Sequence, residues 1–458
     1  MTQSQPPQVA QSASTINGHN PTLNVREFIN ARALSSTQWV LVLLCFLIVA
    51  VDGMDVAIMG FVAPSILAEW HISRPAFGVV MGAAPIGLAV GAMVAGASSD
   101  WWGRRRVLLG SVLGFGICTL LTAQAHNVTE MALLRFATGL GLGAAMPNTT
   151  TLLSEYVPEQ RRSFLVATMF TGFNLGSAVV GFAAAAIIPA YGWKSVLLLG
   201  GALPLAMLPF LFAFLPESAR FMVVRKFPAA RIAAVLSRVC KAPLDGVTAF
   251  VSGEAALKTT QPIATLFQPG FRLRTLTLWV TYFMGLLVIY LTTSWLPTMM
   301  KDAGMSIDRA ANVTAMFQLG GTVGALLVGW LMDRWNANRV IAVSYLLGAM
   351  MLVTLGLNGL TSASLALLVA GVGFFLSGAQ TGLNGFAPGV YPTQARATGV
   401  SWMLGMGRMG SILGSSIGGV LLSSGWGFEG IFAALAVPAI CAGVAIWVNR
   451  RGIPATET

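Results

Sequence analysis

Charged residues inside apolar stretches of a chain need a partner or a task, and this 458-residue sequence holds few of them. Asp52 and Asp55, in Asp52-Gly-Met-Asp55, stand three apart and so share one face of a helix. Arg135 and Arg408 lie in two other apolar runs. Two carboxylates beside a guanidinium suit a proton carrier. Arg408 has no acidic residue near it in sequence, and its planar, permanently charged fork suits bidentate binding of a carboxylate. The chemistry implied is reversible binding of protons and an anion. Other readings stay open: Asp52, Asp55 and Arg135 as a fixed buried ion pair, and Arg408 bridging to Asp55. Glu155 is a third proton-coupling candidate or a loop carboxylate beside Arg161 and Arg162. No nucleophile, base and orienting group recur together, so an enzyme is not expected. His19, His71 and His126 are scattered, and neither a metal site nor a cofactor loop is expected.

The elements that carry these residues follow from composition. Hydrophobic residues make up 55% and charged residues 9%, against roughly 25% charged in soluble domains. A water-soluble globule is excluded. Apolar blocks fall near 37–62, 76–98, 107–125, 130–153, 163–189 and 193–215, then 273–299, 307–332, 339–358, 363–391, 396–423 and 427–448. Each is long enough to cross ~30 Å of hydrocarbon at ~1.5 Å per residue, and lipid forces such spans to be helical. The fold class expected is an all-α polytopic membrane protein with twelve transmembrane helices in two six-helix bundles. The domains are a tail, 1–35, a first bundle, 36–215, a basic central loop, 216–272, a second bundle, 273–449, and a tail, 450–458.

With both termini placed in the cytoplasm, the inner segments collect 21 of the 27 Lys and Arg residues, as the positive-inside rule requires. The net charge of +11 then needs no nucleic-acid partner. Short amphipathic helices on anionic lipid are expected in the central loop and around Val25 to Leu34. The polar N-terminus shows no cleaved signal peptide. The four cysteines suggest packing rather than a disulfide framework.

Helical rise places Asp52 and Arg135 at similar heights, so that they could meet, and puts Arg408 near the bilayer midplane. Asn174, Gln318 and Gln380 reach the same depth, as candidate ligands for a bound molecule or as interhelical hydrogen bonds. Tyr282, Tyr290 and Phe386 are candidate ring-stacking walls. Gly172-x-x-x-Gly176 and Gly410-x-x-x-Gly414-x-x-x-Gly418 allow close helix packing.

An internal repeat supports the six-plus-six division. Asp100-Trp-Trp-Gly103-Arg104-Arg105-Arg106 after span two is echoed by Asp333-Arg334 after span eight, and Tyr156-Val-Pro-Glu-Gln-Arg161 by Tyr391-Pro-Thr-Gln-Ala-Arg396. Two parallel halves with a site between them are a transporter signature. The repeated loop, with the carboxylate and guanidinium groups of Asp100, Arg104, Arg105, Asp333 and Arg334 and the turn at Gly103, would latch the two halves.

The first loop resembles the Asp-Arg-x-Gly-Arg-Arg pattern of the major facilitator superfamily, with Trp101 departing. Asp52-Gly-Met-Asp55, the Arg135 segment of span four and Pro216-Glu-Ser-Ala-Arg220-Phe221 together resemble the aromatic acid:proton symporter family within it. That resemblance implies proton-coupled uptake of an aromatic carboxylate such as 4-hydroxybenzoate, protocatechuate, benzoate or gallate across a bacterial cytoplasmic membrane, by a monomer. It ties Asp52 and Asp55 to transport and Arg135 to coupling. The alternatives are a sugar or polyol symporter, a drug:proton antiporter, and a transporter-shaped sensor of aromatic acids. The first lacks its Pro-Glu-Thr-x-Gly stretch after span twelve, and the second lacks its Gly-Pro element in span five.

Overall fold

The computed structural model describes residues 22–244, 249–251, 262–358, 365–391 and 395–449. The first 21 residues of the expected N-terminal tail and the C-terminal tail, 450–458, lie outside this range. Twelve long helices occur among the described residues. In the first half they are α1 (Ser36–Trp70), α2 (Arg74–Trp102), α3 (Arg104–Thr122), α4 (Val128–Tyr156), α5 (Glu159–Tyr191) and α6 (Trp193–Phe214). In the second they are α7 (Arg272–Asp302), α8 (Ile307–Arg334), α9 (Ala337–Asn358), α10 (Leu365–Val390), α11 (Arg396–Ser423) and α12 (Phe428–Asn449).

Local signals account for the helix ends. Ser35 caps α1 in a reciprocal capping box with Gln38, Ser73 caps α2 ahead of Pro75, and Asn127 caps α4. Gly103 turns α2 into α3 with φ +89°, a conformation that favours glycine, and a side chain there would strike the Glu217 carboxylate. The largest departure from the expected boundaries is α1, which continues eight residues past 62, through Pro64, to Trp70. Apolar residues carry the helix on, and Glu69 at its end accepts a hydrogen bond from Trp193 Nε1 at 2.7 Å.

Ten of the twelve are long and apolar enough to cross a membrane. The other two, α4 and α11, carry Arg135 and Arg408 and are rich in glycine.

Within the first half α2 packs on α4 and α1 on α5; within the second α7 packs on α11 and α8 on α10. Glycines let these backbones touch. Gly172 and Gly176 of α5 meet Phe46 and Ala50 of α1, and Gly139 and Gly143 of α4 meet Ala84 and Leu88 of α2. Likewise Gly410 and Gly414 of α11 meet Phe283 and Leu287 of α7. The halves join through α5 with α8, α2 with α11 and α1 with α7.

The segments at the basic end pack on protein. Helix Val25–Asn30 buries Val25, Phe28 and Ile29, and Arg26 reaches Glu159 at 2.8 Å. Helix Ala229–Cys240 buries Ile232, Leu236 and Val239 and contacts α1, where Ser35 Oγ donates to the Val239 carbonyl. The apolar faces expected to lie on lipid are therefore turned inward. Thr22–Asn24 and Ala249–Val251 form a short parallel strand pair that tail and loop sequences did not announce.

Candidate functional site

Asp55 and Arg135 form a fully buried, two-pronged ion pair in the first half. Arg135 Nη1 donates to Asp55 Oδ1 at 3.1 Å and Nη2 to Oδ2 at 2.8 Å, and Nη2 also reaches the Asp55 carbonyl at 3.3 Å. Thr119 Oγ1 of α3 donates to Asp55 Oδ1 at 2.6 Å. Both charged side chains are enclosed, with 0% and 1% of their surface exposed. The pair thus ties α1 to α4, with α3 as a third support.

Asp52, one turn earlier on α1, has a different environment. It is 2% exposed, and its Oδ1 has no hydrogen-bond partner among the described residues. The charge that acts on it most strongly is Arg408, on α11 of the other half. Arg408 also acts on the Tyr282 and Tyr290 hydroxyls of α7. The two carboxylates of the Asp-Gly-Met-Asp element therefore divide: Asp55 is paired with Arg135 within its own half, whereas Asp52 makes no ion pair among the described residues and feels the charge of Arg408 from the other half. The alternative of Arg408 bridging to Asp55 is not the arrangement found.

A cavity between the halves is lined by Met59, Met81 and Leu88 on the first-half side, and by Tyr290, Ser294 and Ser415 on the other, with Arg135 at its wall. Of the midplane amides, Gln318 Nε2 donates to Thr293 Oγ1 at 3.4 Å, and Asn174 of α5 faces Gly321 of α8 across the interface. Gln380 joins a buried group in the second half. Its Oε1 accepts from the Tyr345 hydroxyl at 2.7 Å, while Tyr282 donates to Asn384 Oδ1 at 2.8 Å. Phe386, two residues along α10 from Asn384, packs partly buried against the core. Tyr345 and Asn384 were not singled out from sequence. Asn384 lies four residues from Gln380, on the same helix face, and that spacing was the available signal.

The repeated loops lie apart from this centre. Arg104 pairs with Glu155, and Ser218 Oγ donates to Glu155 Oε2 at 2.5 Å. Glu155 therefore sits at the basic end of α4 with Arg104, and not with Arg161 or Arg162. The Arg105 amide donates to Glu217 at 3.1 Å, and Arg225 donates to the Asp100 carbonyl at 2.8 Å. These contacts all lie within the first half and its following loop. Asp100, Asp333 and Arg334 are exposed, and Arg334 covers the Trp330 ring at 3.9 Å. Nearby, burial pushes the Cys240 thiol up to about 11, with the Arg32 guanidinium opposing.

Close approaches between the halves gather away from the basic end. Gly78 and Gly82 of α2 meet Ser416 of α11, Gly60 of α1 meets Thr293 of α7, and Arg74 forms an ion pair with Asp302 at 2.8 Å.

Comparison with known proteins agrees with this architecture. The family model described as Major Facilitator Superfamily matches residues 45–306 and 278–457. A gallate transporter of Pseudomonas putida is 54% identical over 93% of this chain and 95% of its own length. The 4-hydroxybenzoate transporter PcaK of the same organism is 49% identical over 94% of this chain and 97% of its own. Among solved structures, the inward open conformation of the xylose transporter XylE from E. coli superposes with a TM-score of 0.72 over 92% of this chain and 97% of that one, at 16% identity.

Proposed function

The chain belongs to the major facilitator superfamily, and on that premise we propose that it is an aromatic-acid transporter coupling uptake of the carboxylate to entry of a proton. It is a multi-pass membrane protein and a transporter rather than an enzyme. In this reading it sits in a bacterial cytoplasmic membrane with both termini inside, as a monomer.

The observation that carries the reading is the division of charge at the centre. Asp55 and Arg135 neutralise each other within one half. Asp52 makes no ion pair among the described residues, keeps an oxygen without a partner, and feels the charge of Arg408 from the other half. An incoming carboxylate competes with Asp52 for Arg408. Once the anion occupies the guanidinium, an ionised Asp52 is a buried charge without a counter-ion, which is costly in a membrane interior. Protonation of Asp52 removes that charge and converts it into a hydrogen-bond donor. Anion and proton therefore stabilise each other's binding, which is the linkage a symporter needs.

The rings of Tyr282 and Tyr290, on which Arg408 acts, suit a planar ring. Relatives named for gallate and 4-hydroxybenzoate support the substrate class. With the basic end inside, the contacts between halves seal the outer side, as an inward-facing state requires. Alternating access then exchanges the outer contacts around Arg74, Gly78 and Asp302 for inner ones between the repeated loops.

The test is accumulation of labelled gallate, 4-hydroxybenzoate, protocatechuate and benzoate by cells expressing the chain, with and without a protonophore. Protonophore-sensitive accumulation of at least one is expected. Binding to purified protein without accumulation would overturn transport in favour of sensing, and absence of binding would overturn the substrate class.

A further inference from the structure

The second half contains a buried polar group that the charge pairs do not explain. Tyr345 of α9 is fully buried and donates to Gln380 Oε1. Tyr282 of α7 donates to Asn384 Oδ1, and its hydroxyl also interacts with the Gln380 side chain. Three helices thus converge on two amides spaced one turn apart on α10. The fit depends on missing side chains: a Cβ at Gly285 would strike both Gln380 Oε1 and the Tyr345 hydroxyl, and one at Gly407 would strike the Tyr282 ring.

The orientation of the amides follows from these bonds. Each carbonyl oxygen accepts from a tyrosine hydroxyl, which fixes the amide plane and turns each NH2 group away from that bond. Gln380 is 6% exposed, and its Nε2 approaches the Tyr282 hydroxyl without making a hydrogen bond to it or to any other described residue. A buried donor left in this state calls for an acceptor. The group stands against α11 one residue from Arg408, where Gly407 meets the Tyr282 ring. Arg408 is a cation and takes a carboxylate, whereas neutral amide donors suit a neutral oxygen.

We propose that Gln380 and Asn384 donate to ring hydroxyl oxygens of the bound acid and so select hydroxylated benzenoid carboxylates over the unsubstituted one. Tyr345 and Tyr282 act as positioning residues by fixing the amide carbonyls. This inference rests on the aromatic-acid reading above and adds which members of the class are favoured. A site built to hydrogen-bond a substrate hydroxyl discriminates against the analogue without it because its own polar groups are then left unpaired.

The experiment is equilibrium binding of benzoate, 4-hydroxybenzoate, protocatechuate and gallate to purified full-length protein, read as the affinity of each hydroxylated acid relative to benzoate. Wild type is expected to favour at least one hydroxylated acid by about tenfold or more, the discrimination of one good hydrogen bond. Gln380→Met and Asn384→Leu should each lower that ratio several-fold, and Tyr345→Phe should lower it less, since it only releases the Gln380 carbonyl. Asn384→Ala serves where a bulkier variant does not fold. A wild type without preference, or variants that weaken all four ligands in parallel, would overturn the selectivity. Failure of the wild type to bind any of the four would overturn the aromatic-acid reading itself, so the two failures are distinguishable.

Discussion

Removing both members of the Asp55–Arg135 pair should cost the fold clearly less than the two single removals added together. Both groups are within 1% of complete burial, joined by two side-chain contacts of 2.8 and 3.1 Å. Taking away one partner leaves an uncompensated buried charge, which costs about 3–5 kcal/mol. The lower figure alone shifts the folded-to-unfolded ratio about a hundredfold. Asp55→Asn strands the Arg135 cation, and Arg135→Gln strands the Asp55 carboxylate. The double variant strands neither, so its loss should be smaller than the sum of the two single losses by about 2 kcal/mol or more. Unfolding in mixed micelles with increasing dodecyl sulfate, followed by tryptophan fluorescence, measures all four proteins. Asp52→Asn is the control: it removes a buried carboxylate charge whose Oδ1 has no partner, and it should unfold at or above the wild-type midpoint. Additive losses across the cycle, or Asp52→Asn as harmful as Asp55→Asn, would refute the assignment of Asp55 as structural strut and Asp52 as titrating group.

Further outcomes follow from the same geometry. The Arg74–Asp302 pair spans the halves with its side chains 40% and 35% exposed, so it is worth about 0.2–1 kcal/mol. Arg74→Gln should raise outward-facing molecules by up to about fivefold, read by labelling of a cysteine placed in the cavity, and exchanging the two charges should restore the original labelling. Gly176→Ala places a methyl against the Ala50 carbonyl and should abolish folded expression, whereas Gly114→Ala, with nothing within 4 Å, should be tolerated; size-exclusion profiles decide. The Cys240 thiol, raised to about 11 by burial, stays protonated below that pH and gains reactivity as pH rises toward it. Its maleimide labelling at pH 8 should be slow in folded protein and fast after unfolding.

How far the sequence could be read depended on which direction of space was asked about. Helical rise alone places residues by depth, and it puts Asp52 and Arg135 at similar heights, whereas the carboxylate that pairs with Arg135 is Asp55, one turn along. It says nothing of rotation about each helix axis. That is why Asp52 and Asp55, three apart, were expected to share a guanidinium and are instead served by Arg135 and Arg408 from different halves. The same gap hid the Arg104 partner of Glu155, because Arg161 and Arg162 are near in sequence while Arg104 is near in space. Gln380 stood out as an amide at the midplane. Its partner Tyr345 comes from α9, and no spacing within α10 points to it. The strand pair of Thr22–Asn24 with Ala249–Val251 joins segments more than 200 residues apart and only three residues long, too short for a pattern of alternation.

The central claim is that Asp52 binds the coupled proton while Arg408 holds the anion. One proton with one monovalent anion carries no net charge, so accumulation should follow the pH gradient, about tenfold per unit at equilibrium, and ignore voltage. The decisive measurement compares Asp52→Asn with wild type in proteoliposomes, recording both gradient-driven accumulation and exchange of labelled for unlabelled substrate. The account predicts that the variant exchanges substrate and fails to accumulate it. Accumulation by Asp52→Asn at the wild-type level would contradict it.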